Sequence, residues 1–316
     1  MENLLFSLGQ VVPFSLLIVL GQLFRRFGVL PETFFKGASS FVFRVALPAN
    51  LFYSLCGIHQ GPGIDKTVLL YITLSTLASF FLSWGAGELL YRKRPEWIGA
   101  FTQGAFRGNY AILGLPLILA VAGEAVGATA ALIVAVVIPM YSILSTIVLM
   151  ARRGDGRENG SLAGVLLNIA VNPLIWGAVL GLVWGLLTLP LPPVLLKTVG
   201  YLSQCTTPMG LLSVGGIFEW RVARERIRPA LWAGALKILV FPVLMTWAAY
   251  LLGLRELQLF LVFMTFVTPT SVSSYPMAVE LGGDAPLAAN VLILTTLGAS
   301  FAIAAGIYLM RLWGWV

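Results

Sequence analysis

Charge is almost absent from this chain over stretches of about 20 residues or more, and that feature decides which structures are open to it. Charged residues make up only 10% of the 316, against about 25% in a soluble globular domain. That is too few to cover a water-facing surface, and the mean hydropathy of +0.92 agrees. Lipid must be the solvent for most of the exterior. There every backbone polar group has to be satisfied internally, so only helices or a closed β-barrel can span. The apolar stretches lack period-2 alternation and are longer than barrel strands of about 10 residues. The expected fold class is an all-α polytopic membrane protein.

The same scarcity removes several functions. One histidine (His59) and two cysteines (Cys56, Cys205) cannot build an ordinary zinc, haem or iron-sulfur site, so neither metal nor cofactor is expected. Two cysteines in so long a chain read as buried small apolar residues, not as a disulfide framework. The longest plainly polar stretch, Arg152 to Ser161, leaves no room for a soluble catalytic, nucleotide-binding or sensor domain. The net charge of +7 would suggest nucleic acid in a soluble protein, but here it is explained by membrane topology.

Cutting at charged or Gly/Pro-rich punctuation predicts ten spans, near 4–24, 33–57, 66–91, 96–122, 125–151, 162–188, 194–218, 228–252, 257–282 and 286–310. Of the twenty Lys and Arg, 13 fall in the loops after spans 1, 3, 5 and 7, among them Arg25, Arg26, Arg92, Lys93, Arg94, Arg152, Arg153 and Arg157. Four lie on the other side: Lys66, Lys197, Arg255 and Arg311. By the positive-inside rule both termini are expected outside the cytoplasm, in a cell membrane, and nucleic-acid binding is not expected. Glu2 before the first span and Arg25-Arg26 after it are the reverse of a cleavable secretory signal.

At an offset of 160 residues Pro13 aligns with Pro173, Pro48 with Pro208 and Pro116 with Pro276. Neighbouring residues follow: Val19-Leu20-Gly21 matches Val179-Leu180-Gly181, and Gly123-Glu124 matches Gly283-Asp284. An internal duplication is implied, with residues 1–151 as a first five-helix repeat, 152–161 as a short cytoplasmic linker and 162–316 as a second repeat. Five is odd, so the second copy must enter the membrane from the opposite side, the inverted-repeat architecture of secondary transporters.

Two of the corresponding spans are polar in the middle. Span 4 reads Phe106-Arg107-Gly108-Asn109-Tyr110 and continues to Pro116; span 9 reads Val267-Thr268-Pro269-Thr270-Ser271-Val272-Ser273-Ser274-Tyr275-Pro276. Proline removes a helical hydrogen bond and clashes with the preceding turn, and irregular backbone at membrane depth is tolerated only against protein or water. Gly/Pro-interrupted segments in matching positions of two halves point to a transport site. If Pro116 and Pro276 each begin a second half-helix, two helix N-termini, each with roughly half a positive charge, face the break. That suits an anion such as a carboxylate. Asn109, Thr270, Ser271, Ser273 and Ser274 would add neutral hydrogen bonds.

Three bases lie within spans: Arg44, Arg107 and Lys237. A charge at the centre of a membrane helix costs about 2.5–3.5 kcal/mol on insertion scales, so it faces protein or water. Arg107 reads either as the attractor of an anionic substrate or as a charge satisfying carbonyls of the broken helix. Arg44 and Lys237 read as structural donors or as side chains reaching toward the cytoplasmic face. Glu88 and Glu280 lie near span ends, so no central acid is expected to pair with these bases, which favours anions over cations. Asn50, Asn168 and Asn172 are either site residues or helix-helix hydrogen bonds; His59 reads as a solvated loop residue; Trp97, Trp220, Trp313 and Trp315 read as interfacial anchors.

Leu47-Pro48-Ala49-Asn50-Leu51-Phe52, Arg107-Gly108-Asn109-Tyr110 with Gly114-Leu115-Pro116, Asn172-Pro173-Leu174-Ile175 and Pro276-Met277-Ala278 resemble the auxin efflux carrier family, including bacterial members similar to malonate and malate permeases. The resemblance covers essentially the whole chain. It implies a fold shared with PIN auxin exporters and related to bile acid sodium symporters, in which spans 1, 2, 6 and 7 (1–57 and 162–218) form a scaffold that dimerises. Residues 66–151 and 228–316 would form a transport domain whose broken spans 4 and 9 cross at Pro116 and Pro276, with Asn109 beside the crossing. The chain lacks the long cytoplasmic loop of the plant exporters, and serines and threonines precede the proline of span 9. The function expected is secondary transport of a small organic anion by an elevator-type step, and not an enzymatic activity. Substrate contacts are expected from Asn109, Arg107, Tyr110, Pro116, Thr270, Ser273, Ser274, Pro276 and Asn50. Sodium-coupled symport of a larger anion and an anion channel are the alternatives.

Overall fold

The structure is a computed structural model and describes residues 2–57, 65–152, 171–187 and 190–315. His59, Asn168 and the linker residues 153–161 lie outside them. Among the described residues the chain is helical, and the sole strand-like contact is a single antiparallel bridge between Gly108 and Thr270. In order the helices are α1 (Glu2–Arg26), α2 (Glu32–Phe41), α3 (Leu47–Cys56), α4 (Lys66–Tyr91), α5 (Pro95–Phe106), α6 (Leu115–Ala122), α7 (Gly127–Ala151) and α8 (Pro173–Leu186). The second half continues with α9 (Pro193–Gln204), α10 (Thr206–Ile217), α11 (Trp220–Glu225), α12 (Ile227–Ala235), α13 (Phe241–Leu251), α14 (Leu257–Val267), α15 (Ser274–Leu281) and α16 (Ala285–Leu312).

Among the described residues four helices are long and apolar enough to cross a bilayer: Lys66–Tyr91, Gly127–Ala151, Ile227–Leu251 and Ala285–Leu312. At about 1.5 Å per residue each exceeds the roughly 30 Å of a hydrocarbon core. Their outward faces carry large apolar side chains such as Leu70, Phe81, Leu89, Trp247 and Phe301, all exposed. Such a continuous apolar surface suits lipid.

Three π-turns, Val42–Ala46, Tyr110–Gly114 and Leu236–Val240, each end two residues before a proline: Pro48, Pro116 and Pro242. The cause is local. Proline has no N–H to give to the carbonyl four residues back, and its ring clashes with that carbonyl. Widening the preceding turn relieves the clash and keeps the helix continuous. Two of the three internal bases, Arg44 and Lys237, sit in these widened turns.

Glycine sets the packing of the flanking helices. On α8, Gly177, Gly181 and Gly185 lie directly against the backbone of α3 at Pro48, Phe52 and Leu55, where a Cβ would overlap main-chain atoms. On α1, Gly21 meets the Leu212 carbonyl of α10, and Gly215 of α10 meets the Ile18 carbonyl. Small residues permit this approach, and dispersion and weak polar contacts then hold helices together where lipid offers no hydrophobic drive. The two contacts are reciprocal at the offset found in the sequence: Gly21 shifted by 160 is Gly181, and Leu212 shifted back is Phe52. Aromatic rings fix the end of α5. Phe106 lies 5.1 Å from Phe80 of α4 and 5.6 Å from Tyr141 of α7, both edge-on, an arrangement favoured by the ring quadrupoles.

Candidate functional site

The chain leaves helical geometry at Arg107, whose ψ of 125° is extended, and re-enters after Asn109. In α14 the helix ends at Val267, and Thr268 is extended at φ −57°, ψ 141°. Pro269 explains this, because the residue before a proline is sterically pushed out of the helical region. The two breaks meet: the Asn109 N–H donates to the Pro269 carbonyl at 2.8 Å, beside the Gly108–Thr270 bridge. The pair Asn109 and Pro269 is itself separated by 160 residues. Gly108 is required there, since a Cβ would stand 2.6 Å from Thr268 Oγ1.

The crossing corrects the expected role of the later prolines. The second helical segments begin at Tyr110, directly after Asn109, and at Ser274, directly after Ser273. Pro116 is therefore the second residue of α6 and exposed, and Pro276 is the third residue of α15 and buried. Any first-turn position lacks an intrahelical partner for its N–H, so Pro276 marks a first turn without marking its first residue, whereas Pro116 stands beyond the first turn of its segment, after the π-turn Tyr110–Gly114. Neither Pro116 nor Pro276 lines the cavity at the crossing.

That cavity has about 40 Å³ of free volume and lies where α3, α7 and α10 face the two breaks. It is lined by Arg107, Asn109 and Tyr110 from the first break and by Ser271 and Ser273 from the second. Asn50 of α3, Tyr141 and Ser142 of α7, and Thr206 of α10 complete its polar wall. This is room for a water or two; a substrate of several atoms needs the walls to part. The structure thus brings together Asn50, Arg107, Asn109, Tyr110 and Ser273 from the expected set. It does not bring Thr270 or Ser274 to the cavity. The Thr270 hydroxyl donates to the Gly104 carbonyl at 2.6 Å, and its N–H donates to Thr295 Oγ1 at 3.1 Å, which locks the crossing. The Ser274 carbonyl accepts from Gln103 Nε2 at 2.9 Å, and its hydroxyl is buried.

Arg107 is 4% exposed. Its guanidinium donates to Ser273 Oγ and to Met277 Sδ, both from the opposite break, and its Nε has no protein partner. Ser273 Oγ is also 2.8 Å from Ser271 Oγ. Among the described residues no carboxylate pairs with the guanidinium, so its charge is left facing the cavity. The side-chain amide of Asn109 makes no hydrogen bond to the described residues, although Asn109 is nearly buried. Neither segment start has a side-chain cap. Amides at Tyr110, Ala111 and Ile112, which lie along the cavity wall, add the partial positive charge of a helix N-terminus. Asn50 is oriented by a 2.8 Å donation from Nδ2 to Ser203 Oγ.

The other internal bases have other work. Arg44, whose side chain is exposed, reaches Glu280 near the end of α15 at 3.0 Å, so its acidic partner is not a central one. Lys237 is fully buried and does not reach toward either membrane face; its Nζ donates to the Phe266 carbonyl at 2.8 Å. Asn172 caps α8, accepting from the Leu174 N–H at 2.9 Å, and so serves the helix. Sequence patterning did not single out Tyr141, Ser142 or Thr206. Lone hydroxyls in apolar spans are usually satisfied by their own helix, and only the fold turns these three toward the breaks. Among the described residues no three His, Cys, Asp or Glu side chains cluster as a metal site would require.

Comparison with known proteins places the chain among transporters. A family model described as Membrane transport protein matches residues 6–307. The chain is 26% identical to a candidate malonate transporter of Rhizobium meliloti over 96% of this chain and 95% of that one. It is 21% identical to an uncharacterized transporter of Methanocaldococcus jannaschii, with 95% and 96% of the two chains covered. An uncharacterized transporter of Methanothermobacter thermautotrophicus is 23% identical, with 92% and 94% covered. With a match across nearly its whole length and broken membrane helices meeting at a polar cavity, the chain belongs to the membrane transport protein family of auxin efflux carriers and is a transporter, not an enzyme.

Proposed function

We propose that this transporter carries a small organic anion, a carboxylate of about the size of malonate, bound at the crossing of the two breaks. The observation that carries the proposal is the unneutralised, nearly buried Arg107 guanidinium beside the free Asn109 amide and an uncapped helix start. A carboxylate would accept from Arg107 and Asn109 and from the first-turn amides, with Ser271, Ser273 and Tyr110 as neutral neighbours. The malonate name attached to the Rhizobium relative supports the substrate class. The absence of a carboxylate from the cavity wall among the described residues argues against a sodium-coupled symport built on acidic side chains. Its small free volume argues against an open anion channel.

The architecture that fits is a ten-helix inverted repeat of residues 1–151 and 162–316. Support comes from the reciprocal Gly21–Leu212 and Gly181–Phe52 contacts and from the self-paired Asn109 and Pro269. Residues 1–57 and 162–218 would form the scaffold, dimeric and fixed in the cell membrane with both chain termini outside. Residues 66–151 and 228–316 would form the moving transport domain. The cavity lies at the boundary between them, so sliding one group of helices past the other would expose the site alternately. The decisive experiment is flux of labelled malonate and other small carboxylates into proteoliposomes, with sodium and pH gradients imposed separately. Asn109→Ala should lower flux roughly tenfold, the loss expected for a hydrogen bond to a charged ligand, with unchanged protein in the membrane. Flux unaltered by that substitution would remove Asn109 from the site, and stepwise single-channel currents would replace the carrier with a channel.

A further inference from the structure

Lys237 is a membrane-buried charge that anion binding at the cavity does not use. It does not line the cavity. It sits in the π-turn Leu236–Val240, and its Nζ has one hydrogen bond, to the Phe266 carbonyl at 2.8 Å. Phe266 is the penultimate residue of α14, so the ammonium lies at the negative end of a broken helix. It also lies against the other break. A Cβ built on Gly108 would be 3.2 Å from Lys237 Nζ, 3.2 Å from the Thr265 carbonyl and 2.6 Å from Thr268 Oγ1. The ammonium and these neutral oxygens therefore surround the bare α-carbon of Gly108, beside the C-terminal ends of both α5 and α14. Lys237 makes no ion pair among the described residues. The elements packed on its turn, α5, α14 and α16, carry charge only at or near their ends: Glu96 on α5 and Arg107 after it, Arg255 and Glu256 before α14, Asp284 before α16 and Arg311 on it.

Carbonyls at the C-terminal ends of interrupted membrane helices are where transporters coordinate a coupling cation. We infer that Lys237 is a built-in counter-cation: its ammonium occupies the place at the crossing where a sodium ion would otherwise bind, so that anion transport needs no sodium. The π-turn is what aims it there, because the widened turn before Pro242 changes the register of side chains along the span. Lys237's role rests on the transporter reading above, but its ligand is the crossing itself.

Two variants separate the effects of charge and volume. Lys237→Ala leaves the Phe266 and Thr265 carbonyls and the Thr268 hydroxyl around an empty space, which a small cation can enter; Lys237→Met fills that space without charge. Wild-type malonate uptake in proteoliposomes should be the same in sodium chloride and in choline chloride of equal ionic strength. Lys237→Ala should lose roughly tenfold or more in choline, since two helix ends of about half a charge each are left unneutralised, and recover in sodium. Lys237→Met should stay slow in both. The second readout does not depend on the substrate. Purified Lys237→Ala should gain roughly 2–4 °C in melting temperature in sodium over choline, and the wild type and Lys237→Met should not. A wild type that requires sodium, or a Lys237→Ala protein whose melting temperature ignores sodium, overturns the assignment. So does failure of Lys237→Ala to fold in sodium as well as in choline, because sodium then cannot take the ammonium's place. If the wild type carries no malonate, the substrate reading fails while the melting comparison still decides the role of Lys237.

Discussion

At the scale of single residues, the crossing is held by groups whose alternatives are sterically or electrostatically poor. Gly108 has Thr268 Oγ1 2.6 Å from where its Cβ would be, and that hydroxyl is itself buried in the locked crossing. Gly108→Ala should destabilise the protein by about 1–3 kcal/mol through overpacking, read as a lower melting temperature in detergent; an unchanged melting temperature would show that the two breaks separate easily. Arg107 differs from Lys237 in what it faces. One guanidinium borders the cavity with hydroxyl and thioether partners, and the ammonium faces a carbonyl away from it. Arg107→Lys keeps the charge but loses the planar fork that can hold Ser273 and a carboxylate together. It should therefore raise KM for the anion several-fold, about the effect of one charge-assisted hydrogen bond, and leave protein yield unaltered. Equal KM in the two proteins would mean that Arg107 acts on the helix ends alone.

At the scale of elements, the three π-turns come from one local rule, a proline two residues beyond the widened turn. Pro242→Ala removes the clash that widens Leu236–Val240. The span should relax to regular α-helix, rotate Lys237 away from Phe266 and cut anion flux roughly tenfold. Helix propensity meanwhile improves by up to about 3 kcal/mol, so stability should hold or rise. Lost stability with normal flux would mean that the π-turn is dictated by tertiary packing and not by proline. The broken spans differ in cause. In span 9 Pro269 ends α14 by the pre-proline restriction, but in span 4 no proline stands at the break, and Arg107 to Asn109 is extended because it pairs with the opposite break.

At the scale of the whole molecule, the Arg44–Glu280 pair ties the α2–α3 span to α15, across the boundary between the proposed scaffold and the proposed transport domain. In a background with Cys56 and Cys205 replaced by serine, Arg44→Cys with Glu280→Cys should be bridged by a short bis-methanethiosulfonate. Flux should stop and return on reduction, because a link across a sliding boundary blocks alternation between states. Full flux through the bridged protein would show that the two groups do not slide at that point. Glycine packing brings the backbones of α8 and α3, and of α1 and α10, into close contact, as a fixed proposed scaffold would require.

Apolar run length and proline position are local properties, and from them the sequence by itself determined the membrane class, the places of the long helices and the two polar interruptions. Apolar residues report which solvent surrounds a segment, and a proline distorts the turn in which it stands, whatever the rest of the chain does. The tertiary structure alone decided that Asn109 bonds to Pro269, that Pro116 and Pro276 stand off the cavity, and that Tyr141, Ser142 and Thr206 join it. It also separated three similar internal bases into one at the cavity, one at a helix end and one paired with Glu280. Those outcomes depend on how helices far apart in the chain are registered against one another. A one-residue turn of a helix moves a side chain by about 100° around its axis, and no periodicity within a single span carries that information.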